Sequence, residues 1–106
     1  MTNSRQKGKR GELELAAFLR GFGIDARRGQ QYSGANGDAD VIGLEGHHIE
    51  CKRVERLDLY SAIKQSKHDA RFGELAVVMH RKSREEWLIT MTLEDYMVKV
   101  LGKEQE

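Results

Sequence analysis

The chain has 106 residues, which at roughly 150 residues per domain reads as one domain. Hydrophobic residues are 39% and charged residues 33%, enough for a core beneath a highly charged surface. No apolar run approaches the ~20 residues of a membrane span. The single cysteine, Cys51, excludes an internal disulfide framework and a multi-cysteine zinc site. No apolar stretch follows the N-terminus, so no secretory signal is visible, and the expected compartment is the reducing cytoplasm.

The net charge of +1 hides an uneven distribution. The first ten residues carry Arg5, Lys7, Lys9 and Arg10 with no acid, so residues 1–8 read as a basic arm. Residues 102–106 read as an acidic tail. A basic surface around an acidic pocket fits a nucleic-acid enzyme, and a solvated charged surface would have the same composition.

The first periodic segment runs from about Lys9 to Gly21. Leu15, Phe18, Leu19 and Phe22 fall at i, i+3, i+4 and i+7, one face of a helix. Ile24 to Arg28 reads as a short strand, and residues 29–38 as a polar, Gly-rich loop. Ala39 to Leu44 is a second short strand. A turn at Glu45-Gly46 leads into His47 to Arg53, making a hairpin. Leu59 to Phe72 is a second helix, with Asp58 as N-cap, Gly73 as stop, and Leu59, Ile63 and Ala70 as apolar marks. Leu75 to Met79 is a buried strand and Trp87 to Met91 another. Thr92 and Asp95 form a capping-box pattern that opens a last helix, with Met97, Val98 and Leu101 on its apolar side. The order α-β-β-β-α-β-β-α predicts an α/β domain, a mixed sheet flanked by helices.

Alternation in the strand Ile49-Glu50-Cys51-Lys52 puts Glu50 and Lys52 on one face and Ile49 and Cys51 on the other. The apolar pair is expected to face the core. The hairpin base brings Asp40 towards Glu50 and Lys52. Two carboxylates that repel each other suit a hard divalent cation held by oxygen ligands, and the Cys51 backbone carbonyl would complete such a site. The cation would neutralise charge developing on a phosphate oxygen and acidify a bound water, which a neighbouring lysine would orient. A cross-strand ion pair would use the same residues. At about 100° per residue, Glu12 lies about 70° from the centre of the first helix's apolar stripe, and Glu14 lies about 90° away on the other side. The wheel therefore barely separates them. Adjacent His47 and His48 would point to opposite faces and read as solvated turn histidines. Trp87 and Cys51 read as packing residues.

Lys7-Gly8-x-x-x-Glu12, Ser33-Gly34, Ala39-Asp40-Val41-Ile42-Gly43 and Ile49-Glu50-Cys51-Lys52, in this order, resemble the PD-(D/E)xK nuclease superfamily. Within it the likeness is to archaeal-type Holliday junction resolvases and small phage-encoded relatives, and it spans roughly residues 5–96, through Gln65 to Glu86-Trp87-Leu88-Ile89. Ala39 stands where the family pattern has proline. The resemblance implies a restriction-endonuclease-like fold and cleavage of DNA phosphodiesters with Mg²⁺, for which Mn²⁺ would substitute. It implies that Asp40 and Glu50 bind metal, that Glu12 helps hold metal or water, and that Lys52 assists the attacking water. Ser33 resembles a loop serine near the scissile phosphate, and Gln65 a polar residue of the second helix.

Lys7, Lys9, Arg10, Arg28, Arg53, Lys64 and Lys67 would then contact the DNA backbone, which positions an enzyme but carries no base sequence. No base-reading helix is evident, so structure-selective or nonspecific cutting is expected rather than site-specific cutting, and the resemblance implies a four-way junction as the foremost substrate. Its two-fold symmetry calls for a homodimer. The alternatives are a nickase or a flap or branch nuclease of phage replication, or a DNA-binding module without catalysis.

Overall fold

The computed structural model describes residues 4–30 and 39–106. Helix α1 spans Ser4–Arg20, strands β1, β2 and β3 span Arg27–Arg28, Val41–Ile42 and His47–Arg53, and helix α2 spans Leu59–Asp69. Strands β4 and β5 span Leu75–Arg81 and Leu88–Thr90. A short helix α3, Leu93–Asp95, runs directly into a π-helical turn, Tyr96–Val100. The element order is the expected one. The strands form one mixed sheet in the order β1-β2-β3-β4-β5, in which only β3 and β4 are parallel. The parallel pair is joined through α2, as a parallel connection requires a crossover.

The sheet is covered on both faces around β3 and β4. On one side α1 lays Leu15, Ala16 and Leu19 against Val41, Ile49, Cys51, Val77 and Met79. On the other, α2 lays Ala62 and Ile63 against Val78. This double coverage explains why Leu75–Met79 is a continuous apolar run, with all five residues buried. Trp87 is half-buried and packs against the α1-side cluster.

Helix α1 differs from its sequence reading in two ways. It begins at Ser4, so Lys7 is helical and not part of an extended arm, and residues 4–8 of the basic arm belong to this helix. Its buried face is Gly11, Glu12, Leu15, Ala16 and Leu19. Phe18 and Phe22 lie outside that face, 46% and 72% exposed, and stack edge to face with ring centroids 5.3 Å apart. At about 100° per residue the true stripe is turned by about 40° towards Glu12. Close packing at Gly11 enforces that turn. A Cβ there would lie 2.6 Å from Arg53 Cβ, so only glycine lets the helix sit this near β3.

Several boundaries also moved. The first two strands are shorter than expected. Between β2 and the turn, Gly43 has φ of 113° and packs so tightly on the chain before β1 that a Cβ would fall 2.1 Å from the Asp25 carbonyl oxygen. Helix α2 ends at Asp69, before the expected Phe72. Its N-cap is Asp58, whose carboxylate accepts from the Ser61 amide at 3.1 Å. Ser66, not Ala70, is its third fully packed residue, with its hydroxyl 3.2 Å from the His48 carbonyl and 3.0 Å from that of Val77. Thr92 accepts from the Asp95 amide at 3.1 Å, as the capping pattern required. Met97, Val98 and Leu101, expected on a packed face, are each more than a third exposed. Among the described residues no helix is long and apolar enough to cross a membrane.

Candidate active site

β3 pairs with β2 only through Val41 and Ile49, which leaves Asp40 opposite Glu50 at the end of the ladder. The Asp40 amide donates to the Ile49 carbonyl at 3.0 Å. Its carboxylate folds over the edge of β3, where Oδ2 accepts from the Cys51 amide at 2.8 Å. Asp40 is thereby fixed at both its backbone and its side chain. Its carboxylate reaches Glu50 on one side and Glu12 on the other, so the three acids form a chain with Asp40 in the middle.

The electrostatics follow from that packing. Burial, with the neighbouring Asp40 charge second, pushes the Glu50 carboxyl up to about 7. Lys52 opposes the shift, its Nζ standing 3.9 Å from Glu50 Oε1. Glu12 is also raised, first by burial and then by Asp40, while Arg28 counters with a hydrogen bond of 2.6 Å to Oε1. Burial likewise raises the Cys51 thiol, which sits on the α1 side of the sheet as a free, packed side chain. Helix α1 thus separates its two glutamates in a way the wheel does not. Glu12 joins Asp40, whereas Glu14 turns to Arg53, 3.3 Å away, and to Arg81.

The remaining candidates fall in three groups. Lys7, Lys9 and Arg10 are exposed along the first half of α1, and Lys64 is exposed on α2. Arg28, Arg53, Gln65 and Lys67 are already engaged. Arg28 holds Glu12, Arg53 holds Glu14, Gln65 donates to Asp69 Oδ2 at 2.7 Å, and Lys67 stands 3.5 Å from Asp95 Oδ2. Ser33 and the rest of the loop from residue 31 to 38 lie outside the described residues.

No protein-family model and no curated protein matches the sequence. Among solved structures, the chain is similar to the 1.6 Å structure of Hjc, a Holliday junction resolvase from the hyperthermophilic archaeon Archaeoglobus fulgidus. The TM-score is 0.57, with 22% identity over 94% of this chain and 99% of that one. The two chains share a fold. The α/β architecture expected from the sequence is therefore observed, and the acidic chain at the β2–β3 hairpin lies within it.

Sequence reasoning missed two neighbours of this site. His48 is not a solvated turn residue: it is 5% exposed, within β3, on the same face as Glu50 and Lys52. The signal was present as the i, i+2, i+4 series His48, Glu50, Lys52, which shares a face in any strand. What the sequence did not carry is Asp69, brought from the end of α2 to the same place. One ligand atom each from His48, Glu50 and Asp69 lie within 4.8 Å of one another, a closeness no other such trio reaches among the described residues.

Proposed function

We propose that this chain is a divalent-metal-dependent endodeoxyribonuclease acting on branched DNA, with a four-way junction as its substrate. The observation that carries this reading is the juxtaposition of Asp40 and Glu50 at the hairpin base with Lys52 beside them. The fold shared with a Holliday junction resolvase supports the choice of substrate.

The residues fit a hard cation. The donors are oxygens only, and burial, with repulsion from Asp40 second, raises the Glu50 carboxyl to about 7, a penalty that a cation between the two acids would relieve. In an extended strand the N–H and C=O of one residue face the same edge. The Cys51 amide meets Asp40, so the Cys51 carbonyl is aimed at the same side and can join the ligand set. Mg²⁺ bound there, or Mn²⁺ in its place, would neutralise charge on the scissile phosphate and lower the pKa of a bound water.

Within this reading Lys52, 40% exposed at its side chain and anchored beside Glu50, orients the attacking water or contacts a phosphate oxygen. Glu12, held by Arg28, holds Asp40 in place and is a further candidate metal ligand. The exposed Lys7, Lys9, Arg10 and Lys64 are the candidate phosphate contacts. Arg28, Arg53 and Lys67 would have to exchange their present acid partners for phosphate, and Gln65 would have to leave Asp69. Ser33 is retained as a candidate at the scissile phosphate. Two incisions placed symmetrically across a junction call for two sites, hence a homodimer.

The test is cleavage of a labelled synthetic four-way junction beside a linear duplex, in Mg²⁺ and in EDTA. The wild type is expected to make paired, Mg²⁺-dependent cuts near the crossover. Asp40→Asn is expected to lower the rate by about a thousandfold, the loss typical when a preorganised charge at the reacting centre is removed. Tight, salt-sensitive binding with no cutting would replace the enzyme by a binding module. Equal cutting of both substrates would keep the site and discard the junction.

A further inference from the structure

We propose that His48, Glu50 and Asp69 form a second metal site, one for a borderline divalent transition ion such as Zn²⁺, adjoining the Asp40–Glu50 pair and sharing Glu50 with it. One imidazole nitrogen and two carboxylate oxygens converge to within 4.8 Å of one another. Ligand atoms about 2.1 Å from an ion are at most about 4.2 Å apart, so small side-chain rotations close the set. An imidazole with two carboxylates is a donor set for zinc, cobalt or manganese, whereas Mg²⁺ and Ca²⁺ favour oxygen alone.

The second, independent observation is the state of His48. Its side chain is 7% exposed, and among the described residues its ring makes no hydrogen bond. Its Nδ1 forms an ion-pair contact with Glu74 Oε1 at 3.8 Å, beyond hydrogen-bond length. The ring nitrogens are not sealed from solvent, so with Glu74 at ion-pair distance and no closer polar contact the imidazole can turn a nitrogen to an ion. Asp69 is prepared in the complementary way. Gln65 Nε2 donates to its Oδ2 at 2.7 Å, and His68 Nδ1 lies 3.1 Å from its Oδ1. Such outer contacts orient a ligating carboxylate before an ion arrives. Ser66, hydrogen-bonded to the carbonyls of His48 and Val77, ties α2 to β3 and so fixes the distance from Asp69 to the strand. A cavity of about 260 Å³ opens onto two of the three ligands, His48 and Asp69, and is lined by Ala39 and Glu74 among others.

An ion held here uses Glu50 in common with the Asp40 pair and so alters the affinity of that pair for Mg²⁺ without giving way to it. That consequence rests on the nuclease reading, but the binding itself does not. The test is therefore a titration of the full chain with Co²⁺, followed by its visible d–d absorption, in excess Mg²⁺ and with Zn²⁺ as displacing ion. Expected is one equivalent of Co²⁺, released by Zn²⁺ and not by Mg²⁺. His48→Gln and Asp69→Asn should each weaken binding by about tenfold or more. His48 is buried, so circular dichroism must accompany its variant, and the exposed Asp69 supplies the decisive one if His48→Gln does not fold. Absence of a Co²⁺ spectrum, displacement by Mg²⁺, or wild-type binding by Asp69→Asn would each overturn the site. Loss of binding in Asp40→Asn with none in Asp69→Asn would move the ion to the hairpin pair and overturn it equally.

Discussion

The two faces of β3 are opposite in character. Beneath α1 the strand presents Ile49 and Cys51, buried against Leu15, Leu19 and Met79 in an apolar, close-packed layer. Beneath α2 it presents His48, Glu50 and Lys52, two of them half-buried and charged. The apolar face supplies the folding energy, while the other face carries a carboxylate whose charged form is penalised by burial. A strand can hold an unfavourable group in a defined position only if its opposite face anchors it. The small α2-side cluster of Ala62, Ile63 and Val78 adds what apolar packing that face has.

That contrast can be broken from the anchored side. Ile49 is fully buried at the centre of the α1 layer, directly behind the acidic pair. Ile49→Ala is expected to cost about 3 kcal/mol by lost transfer energy and cavity formation. Chemical denaturation would measure it, and a value under 1 kcal/mol would mean the layer is not the anchor.

It can be sharpened from the other side through pH. Glu50 is raised from 4.5 to about 7 in the folded chain, so between these values the folded state binds more protons than the unfolded state. Its contribution to stability is therefore full below about pH 4.5 and is lost as pH rises through 7. In metal-free solution the wild type should lose several degrees of melting temperature from pH 5 to pH 8 relative to Glu50→Gln, which cannot ionise. Parallel curves for the two proteins would remove the penalty from Glu50. Because an ion requires the ionised carboxylate, Mg²⁺ affinity should rise over the same interval.

The smallest effect is expected where the two faces are held in register with α1. Gly11→Ala places a methyl group 2.6 Å from Arg53 Cβ, and neither atom is the loose end of a side chain. Overpacking of about 2 kcal/mol, offset by about 1 kcal/mol of helix propensity, leaves a net loss of about 1 kcal/mol. A net gain in stability would show that α1 is not pressed against β3 at this point.

Much of this was legible from the sequence, and for a definite reason. A strand repeats every two residues and has only two faces, so His47–Arg53 and the partition of Glu50 and Lys52 from Ile49 and Cys51 could be read directly. The caps at Asp58 and Thr92 were legible because an N-cap bonds within three residues. Turn chemistry at Glu45-Gly46 made the hairpin, and the hairpin brought Asp40 to Glu50.

Tertiary structure decided what depends on contacts distant in sequence. The two exposed aromatics, Phe18 and Phe22, pulled the apparent stripe of α1 away from its true axis. The approach of Gly11 to Arg53, 42 positions along the chain, together with burial of Leu15, Ala16 and Leu19, turns Glu12 inward and leaves Glu14 to Arg53 and Arg81. The same holds for Asp69, which no local pattern associates with His48. Local sequence determines the period of an element and where it can begin and end. Which atoms meet across elements is set by close packing, where a single absent Cβ decides whether a carboxylate faces the sheet or the solvent.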